Sequence, residues 1–239
     1  MKTAIVTGAS SGIGKAIAEV LVKNGYEVYG IGRNFTEDVR FHAIVCDLLD
    51  EKQYQAMMLS LPKEIDVLVN NAGCAYYGMH ETISDARIHE MIKLNLEIPE
   101  RMSQHYIRAL RLRQGLMINV ASITGTHPSP HAACYASTKA AMISFSNSIF
   151  EENRKHGVKV TCLIPDMTET NLYRNADFKA DENDGCCLIR WILPMLLNRF
   201  SRKEMELSQR KSLFSHNFIA FKRRNRQCKV NSVYFFNHF

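Results

Sequence analysis

The sequence predicts an α/β fold, a doubly wound parallel sheet with helices on both faces. Short apolar runs alternate with longer amphipathic stretches through most of the chain, an order that implies right-handed crossovers between parallel strands. The first apolar run opens directly into a glycine-rich turn and then a helix. At 239 residues the chain is long enough for one sizeable core of this class. Thr3-Ala4-Ile5-Val6 reads as a buried parallel strand. Thr7-Gly8-Ala9-Ser10-Ser11-Gly12-Ile13-Gly14 follows as the turn, and Ile13, Ile17, Val20 and Leu21 then recur at helical spacing. Further strands are expected over Glu27–Ile31, Ala43–Val45, Ile65–Val69, Leu116–Val120 and Val158–Leu163, with helices near 50–60, 82–112 and 133–155. The connection from Arg33 to His42 leaves barely room for a full crossover helix, since such connections usually take a dozen or more residues.

Strand, glycine turn and helix together aim backbone N–H groups and a helix N-terminus at a phosphate. The glycines permit a tight turn and close approach of the ligand. Far downstream, Tyr135 and Lys139 stand four residues apart, on one face of the helix expected near 133–155. A free phenol titrates near ~10 and is inert at neutral pH. A neighbouring ammonium favours the phenolate and brings the tyrosine toward proton-transfer chemistry. Such pairs are commonly no more than solvated helix faces, so the surrounding residues must decide.

Those residues carry a family resemblance. Gly8 to Gly14, Asp47-Leu48, Asn70-Asn71-Ala72-Gly73, Asn95, Ser122, Tyr135 and Lys139 occur in one order over about the first 170 residues. Ser122 lies thirteen residues before Tyr135, and Asn95 twenty-seven before Ser122. In this the chain resembles the short-chain dehydrogenases/reductases of single-domain, Rossmann-like type. The resemblance implies that Tyr135 exchanges a proton with a carbonyl or alcohol oxygen and that Ser122 donates to the same oxygen. It implies that Lys139 lowers the tyrosine pKa and bonds the nicotinamide ribose, and that Asn95 holds a water joining Lys139 to solvent. Gly8, Ser10, Ser11, Gly12, Ile13, Gly14, Asp47, Leu48, Asn71, Ala72 and Gly73 would bind the dinucleotide, together with Tyr135, Lys139, Pro165 and Thr168. Pro165-Asp166 stands where the family has Pro-Gly, which alters the backbone at that loop. The bland readings are a strand-end hydroxyl for Ser122 and a locally bonded helix residue for Asn95. The joint spacing favours the functional set.

The second expected strand ends in Gly30-Ile31-Gly32-Arg33. Where a Rossmann fold prefers NAD, an acid after this strand takes the ribose hydroxyls, whereas an arginine takes a 2′-phosphate. Gly32 occupies the acid's place and Arg33 follows, so the expected cofactor is NADP(H), with NAD(H) as the lesser one. Cys74, Tyr76 and Tyr77 follow the Asn-Asn-Ala-Gly segment as candidate borders of the cleft, with simple packing as the alternative. His127 and His131 precede Tyr135 without acidic partners and read as solvated loop residues. Tyr173 and residues 171–185 would form a lid. The substrate is a small carbonyl or alcohol whose structure the sequence leaves open.

The end of the chain departs from this pattern. Arg199 to Lys229 holds ten lysines and arginines against Glu204 and Glu206, and accounts for more than the whole net charge of +6. No acid follows Glu206 and no glycine follows Gly185, although Leu188 to Leu197 could form an apolar helix. The expected organisation is therefore a dinucleotide-binding and catalytic domain over 1–185, then a divergent basic segment over 186–239, packed or partly disordered. Three readings of that segment stay open: a packed ending rich in Phe and Tyr, a basic arm for nucleic acid or anionic membrane, or the product of a frame change. For the chain as a whole a small carbonyl or alcohol is the expected partner, with nucleic acid not expected. Homo-oligomerisation cannot be assumed with this ending. An opposed function is a non-catalytic dinucleotide sensor or scaffold that uses the tail. The tail could also keep the chain from folding stably. No apolar run is long enough to span a membrane, no signal-peptide pattern opens the chain, and the seven cysteines lack paired metal spacing. A cytoplasmic, metal-free protein is the expectation.

Overall fold

A computed structural model describes residues 1–35 and 38–165, and the backbone of Phe218–Lys222 and Ser232–Asn237. Thr168, the 171–185 lid, the Leu188–Leu197 helix and most of the basic tail lie outside the described residues.

One sheet organises the chain. Its strands are β1 (Lys2–Thr7), β2 (Tyr26–Gly32), β3 (His42–Val45), β4 (Val67–Asn70), β5 (Leu116–Val120), β6 (Lys159–Pro165), β7 (Phe218–Lys222) and β8 (Ser232–Asn237). They lie in the order β3-β2-β1-β4-β5-β6-β8-β7. The first six are mutually parallel. β1 pairs with both β2 and β4, so the chain reverses its direction of travel across the sheet there, which is where an open α/β sheet binds its ligand. The expected strands all occur, displaced by at most two residues at either end. Ile65 is one of the two largest shifts, with the end of β6: it is buried but precedes β4. The connection from Arg33 to Phe41 carries no helix among its described residues, with Phe35 set edge-on to Phe41 at 6.1 Å.

Alternation within each strand fills both faces. Ala4, Val6, Val69, Ile118 and Val120 pack against Ala16, Ile17, Val20 and Leu21 of α1 (Gly12–Lys23). Ile5, Leu68, Met117 and Val160 point the other way. They meet Tyr54 and Met57 of α2 (Glu51–Ser60), Met102, Tyr106 and Leu110 of α4 (Ile98–Arg113), and Phe150 of α5 (Ala133–Asn153). Apolar residues on both sides of each strand are what burial of a parallel sheet demands.

Two differences from expectation bear on the site. The stretch expected as one helix over 82–112 is instead a 3₁₀ turn, α3 (Asp85–Ile92), a π turn (Lys93–Glu97) and then α4. A π turn inserts one residue into the helical ladder, and here it contains Asn95. The sheet is also not parallel throughout. β8 runs antiparallel to β6, pairing Thr161 with Asn237 through Pro165 with Val233, and β7 continues antiparallel to β8. The backbone of Phe218–Lys222 and Ser232–Asn237 thus extends the sheet beyond β6. Among the described residues no helix is long and apolar enough to cross a membrane.

Candidate active site

The carboxyl ends of β1 to β6 converge on one cleft of about 380 Å³. Gly8, Ser10, Ser11, Gly12 and Ile13 enter it after β1, Arg33 after β2, Asp47 and Leu48 after β3, and Asn71, Ala72 and Gly73 after β4. Ser122 enters after β5, Pro165 ends β6, and Tyr135 and Lys139 reach in from α5. The expected residues thus share one space, apart from three. Gly14 lies behind the turn, Asn95 sits beneath Gly73, and Thr168 is outside the described residues.

The glycine turn is stitched to the strand beside it. The Asn71 side-chain amide donates to the carbonyls of Thr7 at 3.0 Å and Gly8 at 3.2 Å. The Thr7 hydroxyl accepts from the backbone N–H groups of Asn71 and Ala72 at 3.0 and 3.1 Å. Gly14 packs directly on this arrangement: a Cβ there would collide with the Gly8 carbonyl and the Asn71 amide. Ser11 stands at the N-cap of α1 in extended conformation with its side chain making no cap bond. Ser11, Gly12 and Ile13, at the start of α1, line the cleft, and a helix N-terminus there is a setting suited to phosphate.

Gly32 has a second constraint. A Cβ at this position would lie 2.8 Å from Ser10 Cβ and 3.2 Å from Phe35. An aspartate or glutamate could not stand there without displacing the turn. Arg33, next along, is exposed at the cleft edge. Asp47 accepts from the Leu49 N–H at 3.0 Å, which fixes its carboxylate at the cleft wall.

At the opposite end Tyr135 and Lys139 are buried at 2% and 4% exposure, so the pair is not a solvated helix face. The Lys139 ammonium donates to the Val120 carbonyl at 2.9 Å and lies 5.7 Å from the centre of the Tyr135 ring. Burial pushes its pKa down to about 8, against smaller opposing contributions from Cys162 and Cys74. The lysine stays cationic at neutral pH but holds its proton weakly. The Ser122 hydroxyl accepts from the Thr124 N–H at 3.3 Å and the Thr124 hydroxyl at 3.0 Å. That leaves its own proton to direct into the cleft.

The Asn95 side chain makes three hydrogen bonds. Its carbonyl accepts from the Cys74 N–H at 2.8 Å, and its amide donates to the Cys74 carbonyl at 2.9 Å and the Thr138 hydroxyl at 3.1 Å. The side chain is a clamp between the Gly73-Cys74 loop and α5. A water toward Lys139 would have to use the remaining lone pair of Oδ1 or the main-chain carbonyl within the π turn. Behind the site a buried polar chain locks α5 to the sheet. Asn70 donates to Asn119 at 2.8 Å, Asn119 to Ser146 at 2.9 Å, and Ser146 to the Met142 carbonyl at 2.7 Å.

Several cleft residues were not picked out from the sequence: Ile31, Cys46, Leu49, Glu90, Leu94, Val120 and Ala121. Glu90 and Leu94 are four apart on the helix leading to Asn95, so their shared face was readable once Asn95 was placed. Tyr76 borders the cleft, whereas Tyr77 packs 6.1 Å from the Tyr135 ring. His127 and His131 are exposed and do not line it. Burial pushes the Cys74 thiol up to about 12, with Glu90 adding to the shift and Lys139 and Arg33 opposing it. The thiol is therefore protonated and unreactive at neutral pH.

A family model described as short chain dehydrogenase matches residues 2–181. The 3-oxoacyl-[acyl-carrier-protein] reductase of Salmonella typhimurium is 32% identical over 185 residues, covering 72% of this chain and 76% of its own. Among solved structures, an alcohol dehydrogenase from the archaeon Thermococcus sibiricus, complexed with 5-hydroxy-NADP, superposes with a TM-score of 0.72. It is 26% identical and covers 83% of this chain and 91% of its own. The 3-ketoacyl-(acyl-carrier-protein) reductase from Brucella melitensis, complexed with NADH, superposes with a TM-score of 0.66 at 26% identity, covering 73% and 79% of the two chains. A Rossmann-like sheet with this cleft defines a dinucleotide-dependent oxidoreductase. The chain belongs to the short-chain dehydrogenase/reductase family.

Proposed function

We propose that this chain is an NADP(H)-dependent oxidoreductase that interconverts a carbonyl and an alcohol, with Tyr135 as general acid and base. The observation that carries the reading is the cleft itself. It collects a buried tyrosine, a buried ammonium and a serine hydroxyl at one end, and a glycine turn leading into a helix N-terminus at the other.

The nucleotide fits the residues present. Gly8 and Gly14 leave no room for side chains of their own, so the turn can lie close to a pyrophosphate. When bound, the nicotinamide supplies or accepts the hydride. In the reducing direction Tyr135 gives its proton to the substrate oxygen as negative charge develops there. Ser122 donates to the same oxygen. Lys139 places a positive charge beside the phenol and so favours the phenolate that remains. Asn95 holds Cys74 and Thr138 in place, and thereby the wall on which Lys139 rests. In the oxidising direction the same groups move the proton back. NADP(H) preference rests on Gly32, where an acid has no room, and on the exposed guanidinium of Arg33. NAD(H) remains a weaker cofactor. The relatives' complexes with a 5-hydroxy-NADP and with NADH accord with a family that uses both.

The catalytic unit in this reading is 1–185, with Thr168 as a cofactor contact. Nothing in the described residues favours a sensor or scaffold over an enzyme. Oxidation of NADPH with a panel of ketones and diketones tests the proposal. Tyr135→Phe should lower kcat on the order of a hundredfold or more while leaving NADPH bound. A variant that keeps its rate would overturn the assignment of the acid. Arg33→Ala should cut the ratio of kcat/KM for NADPH over NADH by about tenfold, the loss of one charge-assisted bond. An unchanged ratio would remove the preference.

A further inference from the structure

We infer that Glu90 and Tyr76 form a specificity element at the substrate end of the cleft, which selects carbonyl or alcohol substrates carrying a hydrogen-bond donor and rejects anionic ones. The inference rests on the cleft being that of a carbonyl/alcohol oxidoreductase, and it names the substrate class of that site.

The two residues meet inside the cleft. The Tyr76 hydroxyl donates to Glu90 Oε2 at 2.7 Å, and both side chains line the cavity. Their place is the reacting end. Tyr76 packs against the apolar cluster that contains Met91 and Tyr135, and Met91 adjoins Glu90 on α3. The nucleotide elements, Gly8 to Ile13, Arg33 and Asp47, come from the ends of other strands.

Glu90 is fixed in position but not neutralised. Among the described residues no lysine or arginine forms an ion pair with it within 4.0 Å. Arg87, the nearest candidate along the helix, instead lies over the Tyr76 ring, 4.9 Å from its centre. Lys93 is committed to the Leu49 carbonyl at 2.9 Å. A carboxylate accepts at two oxygens, and one phenol satisfies only part of that capacity. Because Glu90 lines the cavity, the remaining capacity is within reach of a ligand there. Hydrogen bonding to Glu90, with burial second, pushes the Tyr76 phenol up to about 12, so it stays a donor to the carboxylate through the neutral range. A partner that donates, an ammonium or a hydroxyl, is stabilised there. A carboxylate or phosphate brought to the same place meets like charge in a partly desolvated cavity, which costs more than the same contact in water.

The test compares substrates of matched length: 4-amino-2-butanone, 4-hydroxy-2-butanone, 2-pentanone and acetoacetate, each with NADPH. The readout is the ratio of kcat/KM between substrates within one preparation, which partial misfolding cannot alter. The wild-type protein should favour the aminoketone over acetoacetate by at least about tenfold. Glu90→Gln should shrink that ratio by about tenfold, chiefly through KM, and Glu90→Lys should invert it. Tyr76→Phe, which frees the carboxylate to swing, should give a smaller change in the same direction as Glu90→Gln. Preference for the hydroxyketone above the aminoketone would identify the donor as a neutral hydroxyl and still support the element. A ratio unaltered by Glu90→Gln, or acetoacetate as the best wild-type substrate, would overturn it. Should none of the four be turned over, the reading of Tyr135 is decided by the wider ketone panel and Tyr135→Phe, and Glu90 is decided by binding alone. Calorimetric dissociation constants of 4-amino-2-butanone and acetoacetate for the NADPH-loaded protein and for Glu90→Gln then decide the role of Glu90 separately.

Discussion

An ammonium buried as deeply as that of Lys139 works against the fold that holds it. Desolvation lowers its pKa from 10.5 to about 8, and the Val120 carbonyl to which its ammonium donates is neutral. Below pH 8 both folded and unfolded chains carry the proton, and the folded state bears the full cost of burying it. Between about 8 and 10.5 the unfolded chain still holds a proton that the folded chain has shed. Stability therefore rises with pH across that window. Lys139→Met removes the charge but leaves the Val120 carbonyl without its donor. The variant should be more stable than the wild type by on the order of 2 kcal/mol at pH 7. The gap should close as the pH approaches 10.5, which denaturant unfolding of nucleotide-free protein at several pH values would measure. A gap that does not move with pH would mean that the lysine is not strained. The same variant should lose activity, since it removes the charge beside Tyr135. In the proposed mechanism the residue that weakens the fold also serves the reaction, as selection for function rather than for stability would leave it.

At the scale of elements, the first turn and α1 depend on contacts that a methyl group would break. Gly14 abuts the Gly8 carbonyl and the Asn71 amide, so Gly14→Ala must push the turn off β4 and loosen the bonds from Asn71 to Thr7 and Gly8. The expected result is a dissociation constant for NADPH raised by about tenfold, together with a lower melting temperature. Unchanged affinity, read by quenching of tryptophan or nucleotide fluorescence, would show that the turn does not hold the nucleotide. This element was legible in the sequence because glycine spacing, strand and helix all lie within a short segment. The strands were legible for a similar reason, as apolar runs between polar turns. The π turn was not. Its hydrophobic residues keep helical spacing on either side, and the extra residue shows only in the backbone. The clamp formed by Asn95 was hidden with it, since its partner Cys74 is twenty-one residues away. Glu90 was missed because a carboxylate on an amphipathic helix ordinarily faces water. Only the fold of the Cys74 to Tyr77 loop shows that this one faces a cavity. Local chemistry was readable, and contacts across the sheet were not.

For the molecule as a whole, the unresolved question of the sequence was whether its basic ending belongs to the fold. β6 is buried along nearly its whole length, and its far edge is covered by β8 through five residue pairs. Without β8 that edge would present unpaired N–H and C=O groups beside an apolar face, the arrangement that invites edge-to-edge association. The consequence reaches the site. Leu163 of β6 accepts from the Ala121 N–H at 2.8 Å, next to Ser122, and Pro165 at the end of β6 lines the cleft. A chain stopped after residue 217 should therefore do more than lose a tail. Loss of the ladder on β6 should cost on the order of 3 kcal/mol, which at this chain length lowers the melting temperature by roughly 10 °C. It should also weaken NADPH binding and shift the protein toward aggregates in light scattering. If the truncated chain instead melted with the full one, stayed monodisperse and bound NADPH equally well, β7 and β8 would be dispensable and the Rossmann-like unit would stand complete without them. A melt that falls while NADPH affinity holds would separate the two roles, leaving β8 as a guard on the sheet edge with no part in shaping the cleft.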